Sequence, residues 1–324
     1  MHTQRASTTL ARSALMNQKL TPSTVLLLVL PPLLWAGNAI VGRAVNDQVP
    51  PITLNFLRWV IAFVILLPLG YSVFRRSSSL WTNWRRYSLL GLLSVGLYNA
   101  LQYLALQSST PINITLVAAS LPFWMLLVGR LFFSATVSAK QIIGALLSLA
   151  GVLVVLGRGD LTQLLALRFV IGDFYIILAT VAWAFYSWLL IQGQDPDDIR
   201  KNWATFLMAQ VSFGTVWSGA FAAGEWALID WHISWSWPLA AALLYVAIGP
   251  AIIALRCWGA GVQRVGPSTA GFFNNLTPLF AALMSTVFLG ETARIYHAIA
   301  FVLIVCGIVL SSTNKSTAPT VDNN

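Results

Sequence analysis

The first apolar run of the chain, residues 25–43, reads VLLLVLPPLLWAGNAIVGR and ends in a basic residue. A helix needs about 20 apolar residues to cross the hydrocarbon core of a bilayer, and this run is close to that length. Because it follows Arg5, Arg12 and Lys19, it resembles a signal peptide. Its length and the apolar segments after it favour an uncleaved first membrane span instead.

Similar apolar runs recur along the rest of the chain, separated by short connections that are polar or contain Gly and Pro. Lipid cannot satisfy open backbone groups, and the runs are too long for strands of a membrane barrel. We therefore predict an all-α integral membrane protein with ten transmembrane helices. The ten predicted spans are residues 25–43, 52–72, 87–108, 113–133, 139–157, 171–192, 203–223, 239–263, 268–289 and 295–312.

The composition excludes several other classes of protein. Of the 324 residues, 57% are apolar and only 9% are charged, whereas a soluble domain carries about 25% charged residues. A soluble domain, a disordered chain, collagen and a coiled coil are therefore excluded. The net charge of +9 does not indicate nucleic-acid binding, because no basic cluster lies on a polar module. Cys257 and Cys306 lie in apolar runs without metal-binding spacing, so we expect no cofactor.

The basic residues indicate how the spans are oriented. If the N-terminus is cytoplasmic, the outer loops contain only Arg43, Arg158, Arg168 and Arg294. Every other Lys and Arg outside the spans then falls on the cytoplasmic side, as membrane proteins prefer. An even number of spans returns the chain to the side on which it began. We therefore expect both termini in the cytoplasm.

The two halves of the chain resemble each other. When Gln107 is aligned with Gln263, further matches follow without a gap. Each half holds five spans, an odd number, so the halves must be inverted relative to one another, as in many transporters. We expect a tail (1–24), a first repeat (25–157), a linker (158–170), a second repeat (171–312) and a tail (313–324). The other matched pairs are Pro111 with Pro267, Pro122 with Pro278, Leu127 with Leu283, Phe132 with Phe288, and Gly151 with Gly307.

Catalysis within the membrane is the main rival function. His2, His232 and His297 lie in tails, in loops or at span edges, and Asp173 and Glu291 lie at span ends. A nucleophilic or acid–base mechanism therefore lacks partners within the spans. We expect the protein not to be an enzyme.

Two arginines lie deep inside the predicted spans, away from the span ends. A cation within the membrane is costly and needs a partner. Arg58 is about two turns into its span, and we interpret it as structural, either paired or reaching towards the interface. Arg256 is either structural as well or a fork-shaped partner for a substrate carboxylate. We select Arg256 as a candidate substrate-binding residue.

Aromatic and amide side chains inside the spans are the other candidates for a binding site. Mid-membrane Trp and Tyr need hydrogen-bond partners, and an aromatic cavity binds flat, apolar or cationic solutes. Pro122 and Pro278 kink helices at matching positions of the halves, which marks them as candidate hinges beside a transport site. The remaining candidate substrate-binding residues are Trp35, Asn38, Tyr98, Gln102, Trp124, Trp183, Tyr186 and Asn275.

Several motifs in this order resemble the EamA type of the drug/metabolite transporter superfamily across residues 25–312. They include Trp35-Ala-Gly-Asn38 leading to Arg43 and Phe56-Leu-Arg58 followed by Ala62. Pro278 with Leu289-Gly290-Glu291, and the closing Gly307-Ile-Val-Leu, complete the resemblance. Two departures are the Phe133-Ser134-Ala135 counterpart of Leu-Gly-Glu and the presence of Arg256 where the family has an apolar or aromatic residue.

The resemblance implies a pseudosymmetric bundle in the bacterial inner membrane that moves small metabolites by alternating access. The aromatic spans are similar to those of bacterial exporters of aromatic amino acids. We therefore expect a monomeric exporter of aromatic and other hydrophobic amino acids, with a cavity between spans 1, 3, 4, 6, 8 and 9. A carrier of another metabolite or drug with the same fold is the nearest alternative, and a channel or a non-transporting scaffold is more distant.

Overall fold

The computed structural model describes residues 20–45, 47–109, 111–160, 162–165, 168–193, 195–230, 232–289 and 294–313. This part of the chain is helical and contains no strand. The predicted tails lie almost wholly outside the described residues, as do Gly290 and Glu291 of the Leu-Gly-Glu motif. The helices without a π-helical turn are α1 (Pro22–Ala44), α2 (Pro51–Gly70), α4 (Pro111–Ala118), α5 (Leu121–Phe132), α6 (Ala139–Leu156) and α7 (Thr162–Leu165), followed by α8 (Ile171–Ile191), α9 (Asp197–Arg200), α10 (Trp203–Leu228), α12 (Leu276–Leu289) and α13 (Ile295–Ser312).

Two long helices each contain a π-helical turn. Helix α3 consists of Trp84–Gly91, the π turn Leu92–Leu97 and Tyr98–Leu106. Helix α11 consists of Trp237–Val246, the π turn Ala247–Ile253 and Ala254–Phe273. Such turns are rare and are frequently found at functional sites. The predicted spans did not anticipate them, because a period of 3.6 residues does not reveal a local widening.

Among the described residues, nine helical segments are long and apolar enough to cross a membrane, and α4 and α5 together form one of them, Asn113–Phe132; this confirms an all-helical membrane protein. The predicted span 268–289 is divided between the end of α11 and the 14 residues of α12. Helix α11 is counted as one candidate of 37 residues, Trp237–Phe273. It is kinked at Gly266, whose φ of 80° and ψ of 159° are not helical, and a φ in this region favours glycine.

Two short breaks interrupt the helices at similar places in the two halves. Residues 119–120 separate α4 from α5, and residues 274–275 separate α11 from α12. Pro122 and Pro278 therefore lie in the first turns of α5 and α12 rather than in the middle of a continuous helix. A proline is tolerated there because the first-turn N–H groups have no helical acceptor.

The helices pack in pairs that join the two halves of the chain. Helix α6 packs along α13, α2 along α10, α1 along α11 and α3 along α8. Helices α6 and α13 approach closely at Gly144, where a Cβ would lie only 2.7 Å from the Gly307 backbone oxygen. The face of α6 that carries Gly144 therefore packs against another helix of the same chain.

The Phe133-Ser134-Ala135 segment has an unusual backbone. Ser134 has a φ of 54°, in the left-handed region that favours glycine. Ser134 is the residue that the repeat alignment matches with Gly290. The departure from Leu-Gly-Glu thus puts a serine where the backbone suits a glycine.

Candidate functional site

A cavity of about 110 Å³ lies among α1, α2, α3, α4, α8, α11 and α12. Roughly 10–15 Å³ of such volume admits one water molecule, so the cavity has room for several. Its walls come from both halves of the chain. The polar residues along it include Asn38, Arg58, Asn99, Gln102 and Asn275.

Aromatic rings form one wall of the cavity and the layer behind it. Trp183 is the centre of this group, with ring centroids 5.3 Å from Trp35 and 5.1 Å from Tyr98. Behind these three, Trp258 and Tyr186 lie 5.7 Å and 5.0 Å from Trp183. The distances are typical of favourable aromatic pairs, so the wall is a connected set of rings.

Hydrogen bonds hold these rings in place. The Trp35 indole N–H donates to the Pro250 carbonyl at 3.2 Å, which joins α1 to the π turn of α11. Trp258 donates to Ser187 Oγ at 3.1 Å, and the Tyr186 hydroxyl donates to Gln210 Oε1 at 3.1 Å. With these polar groups satisfied, the ring faces supply an apolar surface.

Helix α2 carries Arg58 to the cavity, and hydrogen bonds to two other helices hold the beginning of α2 in place. The Glu225 carboxylate accepts hydrogen bonds from Ile52 N at 3.0 Å and Thr53 N at 2.8 Å, satisfying the first turn of the helix. One turn further on, Asn55 Nδ2 donates to the Val95 carbonyl in the π turn of α3 at 3.2 Å. The position of Arg58 is therefore set by contacts to α3 and α10.

The Arg58 side chain is 2% exposed and lines the cavity. Its Nη1 donates to Asn38 Oδ1 at 3.4 Å, and its Cζ lies 5.1 Å from the Trp59 ring centroid. Its Nε has no hydrogen-bond partner. No ion pair within the described part of the chain includes Arg58. All its neighbours there are neutral, so the buried charge is not compensated.

Two more polar atoms in the cavity wall have no partner. Asn275, which is 1% exposed, donates from Nδ2 to Ser148 Oγ at 2.9 Å, but its Oδ1 accepts no hydrogen bond. Thr277 Oγ1 is also buried without a partner. Both residues flank the break between α11 and α12. Buried polar atoms normally have partners, so these atoms are suited to a ligand.

Six of the nine predicted substrate-binding residues line the cavity. The structure brings together the aromatic residues of α1, α3 and α8 with amides of α1, α3 and the α11–α12 break, and Pro278 lies beside them. These six residues are Trp35, Asn38, Tyr98, Gln102, Trp183 and Asn275.

The other three predicted residues lie elsewhere. Arg256 is exposed on α11, and its guanidinium carbon lies 3.9 Å from the Trp203 ring centroid. The half-buried Trp124 donates to Ser120 Oγ at 3.0 Å. Tyr186 is buried behind Trp183 without reaching the cavity, and Pro122 is not among the lining residues either. Sequence indicates the depth of a residue in a span, but not the side of the helix on which it lies.

Several lining residues were not selected from the sequence. Arg58 was interpreted as structural, yet it reaches the cavity, together with Trp59, Ser94, Pro250 and Thr277. Pro250 in the middle of an apolar run was a usable signal. Ser94 gave none, because it depends on the π turn of α3. Within the described residues, no group of three His, Cys, Asp or Glu is placed to hold a metal ion.

A second polar cluster lies at the opposite end of α3, where that helix begins. Asp195 Oδ1 accepts from Arg86 Nε at 2.7 Å and from the Tyr87 hydroxyl at 3.1 Å, and Asp195 Oδ2 accepts from Arg200 Nη1 at 3.3 Å. Arg86 also donates to the Leu189 carbonyl at 3.1 Å. These contacts tie the start of α3 to the end of α8 and to α9.

The arrangement of helices and cavity agrees with a comparison of the sequence with known families. The EamA-like transporter family matches residues 22–157 and again residues 170–313. The chain belongs to this family. The resemblance predicted from its motifs is therefore confirmed, and this EamA-type protein is a multi-pass membrane transporter.

Relatives of this EamA-type chain include transporters from several bacteria. It is 24% identical over 252 residues to the uncharacterized transporter YyaM of Bacillus subtilis, covering 78% of this chain and 80% of YyaM. It is 25% identical to the uncharacterized inner membrane transporter YedA of Escherichia coli, covering 89% and 90%. It is also 25% identical to the aromatic amino acid exporter YddG of Ancylobacter novellus, covering 86% and 93%.

A solved crystal structure also resembles the EamA-type chain. The two superpose with a TM-score of 0.69 at 23% sequence identity, covering 89% of this chain and 96% of the other. At this identity the similarity supports the fold alone.

Proposed function

We propose that this EamA-type transporter exports amino acids from the bacterial cytoplasm and prefers aromatic and other hydrophobic ones. The observation that carries the proposal is the cavity between the two halves, with Trp35, Tyr98 and Trp183 as one wall and amides beside them. A flat apolar side chain gains favourable contacts with such rings. The relative named as an aromatic amino acid exporter is consistent with this substrate class.

The proposal includes ten membrane spans arranged as two inverted repeats, residues 25–157 and 171–312, joined by a linker at 158–170. In this arrangement α11 provides span 8 up to Gly266, and the rest of α11 joins α12 as span 9. The two separate matches to the family support the division. The π turns Leu92–Leu97 and Ala247–Ile253 support it as well, because the repeat alignment brings them together within one residue.

The pairing of helices also supports inverted repeats. A two-fold axis that exchanges the halves relates α2 to α10, relates α6 to α13, and turns the α1–α11 pair into the α8–α3 pair. The same axis relates the Gly144–Gly307 contact to the approach of Gly151, whose Cβ would lie 2.9 Å from the Ala300 backbone oxygen. Contacts that an exchange of halves preserves are expected of a duplicated fold.

We propose that both termini are cytoplasmic, because the Lys and Arg residues outside the spans fall mainly on that side. The end of the bundle held by Asp195 is then the cytoplasmic end. The cavity, lined by Gln102 near the end of α3 and Ile114 near the start of α4, lies nearer the outer face. We propose that the site opens to each face of the membrane in turn, in an alternating-access cycle.

Movement between the two states requires helices that can bend near the site. The breaks at residues 119–120 and 274–275 interrupt the helical hydrogen bonds in both halves. Pro122 and Pro278 follow these breaks within one turn and prevent them from closing into continuous helices. We propose that these two places are the hinges of the cycle.

A flux screen tests the substrate class. Purified protein in liposomes is loaded with each of the twenty amino acids, and exchange with external labelled tryptophan is measured. We expect the fastest exchange with tryptophan, phenylalanine and tyrosine. We also expect Trp183→Ala to reduce it at least about 10-fold, because the central ring of the wall is lost.

Trp237→Ala is the matched control, since it removes a Trp side chain that is 88% exposed and lies outside both the cavity and the proposed hinges. It should exchange tryptophan within about 2-fold of the unchanged protein. Exchange of no amino acid, together with flux of a drug or a different metabolite, would assign the protein to another substrate class. Equal loss in both variants would contradict the placement of the site.

A further inference from the structure

We propose that Arg58 binds the carboxylate of the transported amino acid, and that Asn275 Oδ1 and Thr277 Oγ1 accept hydrogen bonds from its ammonium group. The inference rests on the proposed function and deepens it by assigning the two ends of the substrate's head group. It moves the carboxylate-binding role from Arg256, the sequence-based candidate, to Arg58. The cavity thus selects zwitterions over amines of the same shape.

The charge of Arg58 is the first argument. The residue is 2% exposed, and Asn38, which accepts its described hydrogen bond, is neutral. A buried cation without an anion is strongly unfavourable in a medium of low dielectric constant. A structural arginine would be expected to meet a carboxylate of the chain, as Arg86 meets Asp195 at 2.7 Å. Arg58 lacks one within the described residues, so a substrate carboxylate is suited to that place.

The hydrogen-bonding geometry of Arg58 is the second argument. Nη1 is engaged with Asn38, but Nε has no partner. Guanidinium groups bind carboxylates through two parallel N–H donors. The free Nε of Arg58 therefore supplies a donor for such a contact, and the cavity into which Arg58 is packed supplies the space.

The other unpartnered atoms have the opposite character. Asn275 Nδ2 already donates to Ser148 Oγ, which leaves the carbonyl oxygen Oδ1 as the free atom. A carbonyl oxygen can only accept, and the Thr277 hydroxyl can accept as well. An ammonium group has three donors and no acceptor. The α11–α12 break thus favours the cationic end of a zwitterion, while α2 favours the anionic end.

Three ligands of similar shape separate these contributions in the unchanged protein. Binding of tryptophan, tryptamine and indole-3-propionate to purified protein is measured by calorimetry. Tryptamine lacks the carboxylate, so we expect its affinity to be at least about 100-fold weaker than that of tryptophan. Indole-3-propionate lacks the ammonium, and we expect a loss of about 10-fold, because neutral acceptors bind an ammonium more weakly than a guanidinium binds a carboxylate.

Variants assign these losses to residues. We expect Arg58→Gln to weaken tryptophan binding at least about 30-fold and to leave tryptamine binding within about 3-fold, while Arg58→Lys recovers part of the tryptophan affinity. Arg256→Gln removes the other intramembrane arginine and should change neither affinity. Thr277→Val should weaken tryptophan but leave indole-3-propionate unaffected. If Arg58→Gln does not fold, the three ligands still test the inference in the unchanged protein.

The outcomes separate this inference from the proposed function. Equal affinities for tryptophan and tryptamine, or an Arg58→Gln variant that binds tryptophan normally, would overturn the role of Arg58 while amino-acid transport stands. Binding of other carboxylates through Arg58 without binding of any amino acid would overturn the proposed function and support Arg58 as the anion site.

Discussion

The arginines of the two polar clusters differ in whether a carboxylate of the chain neutralises their charge. At the proposed cytoplasmic end, the Asp195 side chain is 3% exposed and lies within 3.3 Å of both Arg86 and Arg200, whose side chains are 23% and 30% exposed. In the cavity, Arg58 is more deeply buried and meets only neutral partners. The partly exposed Arg86 and Arg200, whose charges cost less to bury, are paired with a carboxylate. Arg58, whose charge costs more to bury, has no such partner among the described residues.

This difference indicates two purposes. A carboxylate shared by two arginines and Tyr87 joins α3, α8 and α9 and stabilises one arrangement of the helices. An unpaired buried cation stabilises nothing by itself and lowers the stability of the empty protein. Such a cation favours the binding of a negatively charged ligand, because the ion pair that is missing in the empty protein forms in the complex.

The largest expected effect is at the paired cluster. Asp195→Ala leaves Arg86 and Arg200 without their shared anion and Tyr87 without its acceptor. We expect a loss of about 3 kcal/mol in the free energy of unfolding, at the lower end of the range for buried pairs because both arginines are partly exposed. Thermal unfolding of the purified protein in detergent measures it. A loss below about 0.5 kcal/mol would show that the cluster does not hold this end together.

In the cavity, a substitution is expected to raise the free energy of unfolding instead of lowering it. Arg58→Met replaces an uncompensated cation with an apolar side chain of similar length, so the empty protein should gain about 1 kcal/mol. The same unfolding measurement compares the two variants directly. A stability loss as large as that of Asp195→Ala would show that Arg58 is a structural residue, as the sequence alone suggested.

The smallest effect concerns Asp198 on α9, beside the paired cluster. The backbone N–H of Ser79, 2.9 Å from Asp198 Oδ2, lowers the pKa of that carboxyl below its ordinary value. The contact therefore contributes stability above the ordinary pKa and loses it as the pH falls through the lowered pKa. At neutral pH, Asp198→Asn should cost about 0.5 kcal/mol or less, since the group is exposed.

The measurement for Asp198 is unfolding as a function of pH. The difference between Asp198→Asn and the unchanged protein should shrink as the medium becomes acidic. A difference that grows instead would mean that the carboxylate is disfavoured in the folded state.

Much of the fold could be predicted because the membrane constrains it strongly. Length and hydropathy located most helices, and a spacing of three residues places Trp35 and Asn38 on one face of their helix, as it does Asn99 and Gln102. The same reasoning selected Arg256 as the substrate-binding arginine and interpreted Arg58 as structural. The position of a residue along the chain gives its depth in a span, but it does not show whether the side chain is directed into a cavity.

Other features depend on contacts between distant segments. The π turn of α3 brings Ser94 to the cavity, and the π turn of α11 presents the Pro250 carbonyl to Trp35. A widened turn leaves no periodic signal in an apolar run. The Asp195 cluster joins residues more than a hundred positions apart, Arg86 and Asp195, and only the folded chain brings them together.

The most direct test compares the two intramembrane arginines in one transport assay. Exchange of labelled tryptophan across liposome membranes is measured for the unchanged protein, Arg58→Gln and Arg256→Gln at equal amounts of folded protein. We predict at least about a 10-fold loss for Arg58→Gln and a rate within about 2-fold of the unchanged protein for Arg256→Gln. Normal exchange by Arg58→Gln, or loss only in Arg256→Gln, would contradict the assignment of the cavity as the site and of Arg58 as the residue that binds the substrate's carboxylate.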